Sequence, residues 1–213
     1  MNIVSEATEH IVWFEFLRRE NKQRLDKERW HECEQLIRSP DFSDERQNYQ
    51  RKNLLDSIRG AITKTIPSDT VWKEVSLSIE EFGTLRLLRY LSWVALSDET
   101  CLLSVAANNV SREPMLSPVI MEKLGQSGSR AWAEVAEIRR KVQSMREAVF
   151  EPSSRPILVR QVDKPNMTII EGCHRATVLY LQYFLDSIPF PVDGVRAFLG
   201  ASSRMTDCGW MAT

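Results

Sequence analysis

The most constraining feature of the sequence is a change of periodicity at Gly172. Two runs rich in β-branched residues, 156–162 and 167–172, flank a turn at 163–166, which is the pattern of a strand pair. Beyond Gly172 the apolar residues recur at helical spacing, at Ala176, Leu179, Tyr180, Tyr183 and Phe184. The sequence therefore predicts strand, turn, strand and helix in immediate succession, with a final strand at 191–200.

The region before residue 100 has the pattern of helices. Apolar positions at three- and four-residue spacing predict helices over 5–38 and 46–62. Ser78 followed by Glu81 predicts a capping box at the start of a further helix. We therefore expect residues 1–99 to form an all-helical accessory region.

The region from 100 to 213 has a mixed pattern. A short strand is expected at 101–109, an irregular connection around one short element (PVIMEKL, 118–124) at 111–129, and a helix from Ser129 onward. The residues after 200 show no period, so the tail is expected to be poorly ordered. The expected fold class is α+β, a helical N-terminal half followed by a small mixed sheet with helices. Periodicity predicts that one core contains Trp132, Ile138, Leu158, Ile170, Leu179 and Tyr183.

Composition excludes several classes of protein. The chain has 28 basic and 29 acidic residues, a net charge of −1, so nucleic acid is not an expected partner. It has no apolar run of about 18 residues, so we expect no membrane association through a spanning helix. Its four cysteines are far apart and form no CxxC pair, as expected of a reduced, cytoplasmic protein.

The candidate site is the junction IEGCHR at residues 170–175. The first-turn amides of a helix have no intrahelical partner and lie at the positive end of the helix dipole, so they bind anions. Gly172 permits a tight turn there, and His174 and Arg175 add hydrogen-bond donors. Glu171, beside this cationic turn, is a candidate general base or metal ligand.

The same residues also have structural interpretations. Glu171 has an alternative interpretation as a helix cap of structural value only, and His174 as a surface residue. Cys173 is more often a small buried hydrophobe than a nucleophile, although a helix N-terminus lowers a thiol pKa. The residues alone leave these alternatives open.

Segments 156–159 (PILV) and 169–176 (IIEGCHRA) resemble the ParB N-terminal/sulfiredoxin superfamily. The resemblance covers roughly residues 100–200. In having an acid, Glu171, before Gly172, the motif resembles the free serine kinase branch of the superfamily. The enzymes of that branch phosphorylate a small hydroxylated molecule. The tetrapeptide at 172–175 is identical to that of sulfiredoxins, which use its cysteine to reduce a sulfinic acid with ATP.

The resemblance to the kinase branch implies a phosphotransferase that uses ATP or ADP with Mg²⁺. The phosphates would be held by the turn residues Gly172, Cys173, His174 and Arg175. His174 would also act in catalysis, and Glu171 would orient a substrate hydroxyl or help to hold Mg²⁺.

The kinase branch also has an upstream acid, for which Glu122 and Glu113 are the candidates. Two other functions remain as alternatives: a nucleotide-binding ParB-like module acting with nucleic acid, and a sulfiredoxin-like reductase using Cys173. The helical region 1–99 is a candidate substrate lid, partner surface or homodimer interface.

Overall fold

The computed structural model describes residues 1–20, 27–97, 99–112, 118–147 and 155–211. It is a mixed α/β fold built on a six-stranded sheet. The strands are β1 (Asn2–Glu6), β2 (Val71–Leu77), β3 (Arg86–Leu87), β4 (Ile157–Gln161), β5 (Thr168–Glu171) and β6 (Val195–Ser202). The helices are α1 (Glu9–Arg19), α2 (Lys27–Arg38), α3 (Glu45–Thr63), α4 (Ile79–Gly83), α5 (Leu91–Leu96), α6 (Leu103–Ser111), α7 (Pro118–Glu147) and α8 (Cys173–Tyr180).

The strand order is β1-β2-β6-β4-β5-β3, with parallel pairs β6–β4 and β5–β3 and the other neighbours antiparallel. The first 99 residues supply both edges of the sheet, and the later strands fill its centre. The prediction of an all-helical region over residues 1–99 is therefore wrong. Three strands from that region belong to the same sheet as the strands that follow residue 100. The decisive element is β2, which pairs with β6 along its whole length, from Val71 opposite Ala201 to Leu77 opposite Val195.

Two expectations for the middle of the chain are also wrong. Segment 101–109 is mostly helix α6, because its apolar residues Leu103, Ala106, Ala107 and Val110 all fall on one buried helical face. The short element expected at 118–124 is instead the start of α7, which begins at Pro118 and continues unbroken past residue 129 to Glu147, whereas residues 113–117 of the expected connection lie outside the described residues. Proline is well tolerated at a first helical position, where its missing N–H costs nothing.

The elements around the candidate site are confirmed. Strands β4 and β5, helix α8 and strand β6 occur in the predicted order, and α8 continues into a π-helical turn at Leu181–Leu185. The capping box of Ser78 and Glu81 is present at the start of α4. The tail is packed, contrary to expectation, because Trp210 is buried and its Nε1 donates to Thr65 Oγ1 at 2.7 Å.

One hydrophobic core joins the two regions of the chain, since Phe16 and Leu55 belong to the same cluster as the later strands. The predicted core residues are confirmed. Ile138, Leu158, Ile170 and Leu179 are buried, and Trp132 and Tyr183 pack against them partly exposed. Among the residues described, none of the helices has the length and apolarity that crossing a membrane requires.

Candidate functional site

The centre of the site is the glycine between β5 and α8. Gly172 has φ +94°, the left-handed conformation that glycine adopts without strain. A Cβ atom there would also lie 3.4 Å from Pro156 Cα and 3.3 Å from an Arg175 guanidinium nitrogen. As the N-cap residue, Gly172 has no side chain to bond the first amides of α8. The predicted turn is therefore confirmed, with its amide groups uncapped by a side chain.

Glu171, the last residue of β5, lies between two arginines. Arg175 donates to both of its carboxylate oxygens. Arg19, at the end of α1, donates from Nη1 to Glu171 Oε2 at 3.1 Å, and its other terminal nitrogen pairs with Glu15 at 2.9 Å. The side chains of Arg19 and Glu171 are only 6% and 12% exposed. In this arrangement Glu171 is the counter-ion that fixes two guanidinium groups at one end of the sheet.

Burial and the neighbouring carboxylate have opposite effects on the pKa of Arg19. Burial lowers the pKa of the Arg19 guanidinium, and the neighbouring Glu171 carboxylate acts to raise that pKa again. Arginine remains protonated in proteins, so this desolvated cation needs its carboxylate partners. Glu171 therefore serves as the carboxylate partner of two arginines, and it does not cap α8, whose N-cap residue is Gly172.

His174 lies in the first turn of α8, with its ring centroid 5.4 Å from that of Trp93 in an edge-on contact. Burial, followed by the positive charges of Lys141 and Arg175, lowers the pKa of His174 to about 4. The imidazole is thus neutral at pH 7. A neutral ring has one nitrogen that donates and one that accepts, so it can bond a phosphate oxygen or a hydroxyl group.

Cys173 faces the interior of the protein. Its Sγ lies 3.7 Å from the carbonyl oxygen of Ile169, to which the thiol donates. Burial raises the pKa of the Cys173 thiol to about 12. Because the thiolate is the nucleophilic form, this cysteine is unreactive at neutral pH.

A cleft of about 700 Å³ opens in front of the turn. Its walls are the end of α1, α3, the segment around α5, α7 and the β5–α8 junction. Besides the two pairs of Glu171, the lining holds the ion pairs of Arg59 with Glu20 at 2.5 Å and of Lys141 with Glu137 at 2.5 Å. The charged lining residues are Arg19, Glu20, Arg59, Glu134, Glu137, Lys141, Glu171 and Arg175. The lining thus brings four basic groups from four separate helices to the predicted site, each of them paired with a carboxylate of the same lining.

Glu122, one of the two candidates for the upstream acid, is not among the described residues that line this cleft. Glu122 is exposed on α7, 12 residues before the lining residue Glu134, which is about 18 Å along the helix axis. Glu113 lies outside the described residues. In the part of the chain that is described, no three acidic, histidine or cysteine side chains come together as a metal site.

Sequence reasoning missed the basic residues that converge on the turn. Arg19, Arg59 and Lys141 come from three helices far apart in the chain. Arg19 belongs to a run of charges at 18–20 that is typical of a solvated helix face, and nothing in its spacing marks it as buried. Trp93, which contacts His174, is a buried residue of the core, at 5% exposed.

Comparison with known proteins does not assign the chain to a family. The resemblance of segments 156–159 and 169–176 to the ParB N-terminal/sulfiredoxin superfamily therefore remains a prediction from those residues. Neither the protein-family models, nor the curated proteins, nor the solved structures contain a match to the chain.

Proposed function

We propose that the protein is a phosphotransferase that binds ATP or ADP in the cleft and phosphorylates a hydroxyl group of a small metabolite. The observation that carries this proposal is the uncapped first turn of α8, which opens beside Arg175 into the cleft of about 700 Å³. Clefts of roughly 300–1,000 Å³ are the usual size for small ligands and cofactors.

The turn and the basic residues supply complementary donors for phosphate. The amides of 173–175 carry the positive end of the α8 dipole, and Arg175 stands beside them. Lys141 and Arg59 lie on other walls of the same cleft. Phosphoryl transfer depends mainly on positioning and on neutralising charge, which is the chemistry that this set of residues provides.

His174 and Glu171 then have different tasks. The neutral His174 ring accepts a hydrogen bond from the substrate hydroxyl or donates one to a phosphate oxygen. Glu171 is a positioning residue, because its carboxylate holds the guanidinium groups of Arg19 and Arg175 in place.

The described residues do not fit a protein-built Mg²⁺ site. Magnesium prefers oxygen ligands, and both Glu171 oxygens accept hydrogen bonds from Arg175. No cluster of three ligating side chains occurs within the described segments. The proposal therefore derives no step through the metal, and Glu171 as a Mg²⁺ ligand remains a prediction from sequence.

The two alternative functions have less support. A sulfiredoxin-like reductase needs a Cys173 thiolate, whereas burial raises the pKa of that thiol to about 12. A ParB-like module acting with nucleic acid needs positive charge to bind the phosphate backbone, whereas the chain has a net charge of −1.

The experiment is a product screen with a matched pair of variants. The protein is incubated with ATP, ADP or CTP, Mg²⁺ and a panel of hydroxylated metabolites, and ³¹P NMR follows the appearance of a phosphate ester. Glu171→Gln keeps the size of the side chain and removes its charge. Turnover should fall by roughly 10²-fold because the two arginines lose their counter-ion and their position. Glu6→Gln, at a side chain on β1 that is 73% exposed, is the control and should leave turnover unchanged.

Two results would argue against the proposal. If no nucleotide is consumed with any hydroxylated metabolite, the protein is not a phosphotransferase for that panel. If Glu171→Gln retains full turnover while its melting temperature falls, the carboxylate has only a structural role.

A further inference from the structure

The basic residues of the cleft at the β5–α8 junction all have carboxylate partners already. An anionic ligand therefore competes with a carboxylate for every cation that it contacts. The exposure of each ion pair decides whether a ligand can open it, because a separated charge is solvated only where water reaches it. The pairs are those of Arg19 and Arg175 with Glu171, of Arg59 with Glu20, and of Lys141 with Glu137.

The three arginines are held by buried carboxylates. Glu171, the partner of Arg19 and Arg175, has a side chain that is only 12% exposed. The side chain of Glu20, the partner of Arg59, is only 4% exposed. Separating either carboxylate from its cation would leave a buried charge without compensation, which is strongly unfavourable. These arginines therefore keep their carboxylates when a ligand enters the cleft.

The pair of Lys141 and Glu137 is the exposed one. Both residues belong to α7, one turn apart, and their side chains are 46% and 47% exposed. Exposed pairs at this spacing stabilise a helix only slightly, because water solvates both charges once the pair opens. Lysine also carries its ammonium group on a flexible stem of four carbons. Lys141 can therefore leave Glu137 easily and turn toward a ligand.

Two observations place Lys141 close to the first turn of α8. Lys141 lines the same cleft as residues 172–175, and α7 packs directly against α8. After burial, the positive charge of Lys141 is the largest cause that lowers the pKa of His174, ahead of the charge of Arg175. Because such interactions weaken with distance, the ammonium group of Lys141 lies near the imidazole ring in that turn.

We infer that Lys141 is a phosphate-binding residue, and that Glu137 holds it until the ligand arrives. When nucleotide phosphates bind at the amides of the α8 turn, the ammonium group leaves the Glu137 carboxylate and contacts a phosphate oxygen. The phosphates carry several negative charges against one on Glu137, so the exchange favours the ligand. Glu137 thus competes with the nucleotide for Lys141. The inference rests on the proposed function, because it concerns the phosphates of the same nucleotide.

Two substitutions with opposite expected effects test the inference, followed by calorimetric titration of the full chain with ATP and with inorganic pyrophosphate. Lys141→Gln removes the cation and should weaken binding of both ligands by at least about fivefold. Glu137→Gln removes the competing carboxylate and should tighten binding by about two- to fivefold, the scale of an exposed ion pair. Arg140→Gln, at an exposed residue that does not line the cleft, is the control and should leave both affinities unchanged.

The direction of the Glu137→Gln effect separates competition from positioning. Equal or weaker binding by this variant would mean that Glu137 does not compete for Lys141, and the inference is then overturned. It is also overturned if a folded Lys141→Gln protein binds both ligands with wild-type affinity. If Arg175→Ala nevertheless weakens ATP binding, only this inference fails and the proposed function stands. If the wild-type protein binds neither ligand, both fail.

Discussion

Arg19 and Glu171 are 152 positions apart in the chain, and their side chains meet at 3.1 Å between Nη1 and Oε2. The contact ties the end of α1 to the end of β5, where helix α8 begins. Arg19 also donates to the carbonyl oxygen of Arg155, just before β4. The candidate site is therefore assembled from both regions of the chain, and α1 forms part of its wall.

Replacing Arg19 tests whether this contact stabilises the fold. Arg19→Ala leaves Glu171 and Glu15 each without one cationic partner in a buried setting. The free energy of unfolding should fall by about 3 kcal/mol, the scale of a broken buried ion pair. Arg18→Ala, one residue earlier and 46% exposed, should change it by less than about 0.5 kcal/mol. Urea unfolding measures both, and equal losses in the two variants would show that the Arg19 pair contributes nothing specific.

His174 gives the fold a dependence on pH. Its pKa is about 4 in the folded chain and near 6.5 in an ordinary unfolded peptide, so the unfolded state binds its proton first. The stability that the neutral ring contributes is complete above about pH 6.5 and is lost as the pH falls toward 4. From pH 7 to pH 5, wild type should lose about 1–2 kcal/mol more stability than His174→Asn. Parallel pH profiles of the two proteins would contradict this account.

The cysteines provide a test of reactivity. Each of the four is buried, and the pKa of the Cys173 thiol is raised to about 12. At pH 8 only about one molecule in 10⁴ would carry the Cys173 thiolate. Iodoacetamide should therefore label Cys173 in the native protein far more slowly than in urea, and Cys173→Ala should retain nucleotide binding. Rapid native labelling of Cys173, located by mass spectrometry, would instead favour the reductase.

Leu179 tests the packing beneath the site. It lies on α8 and is 2% exposed, whereas Leu185, at the end of the same helical segment, is 45% exposed. Leu179→Ala should lower the free energy of unfolding by about 2–5 kcal/mol. Leu185→Ala removes the same atoms and should cost less than about 1 kcal/mol. A loss below half a kilocalorie per mole for Leu179→Ala would mean that the buried face of α8 is wrongly assigned.

Local signals in the sequence predicted the β4–β5–α8 segment, because a glycine and a change of apolar spacing define it. The same approach failed for β2, where the adjacent charges of Lys73 and Glu74 conceal the strand. Glu74 is tolerated there because it accepts from Arg155 at 3.2 Å and Arg196 at 2.9 Å, both distant in sequence. Arg19 was missed for the same reason, since its partner lies on a strand that the sheet topology alone brings near.

The central claim is that nucleotide phosphates bind at the first turn of α8, and calorimetric titration with ATP and ADP tests it most directly. Arg175→Ala removes the cation beside the turn and should weaken binding by about 1–3 kcal/mol, or about 5- to 150-fold in Kd. Arg130→Ala removes the same charge from a side chain that is 92% exposed on α7, and it should leave Kd unchanged. Wild-type affinity for both nucleotides in a folded Arg175→Ala protein would contradict the claim.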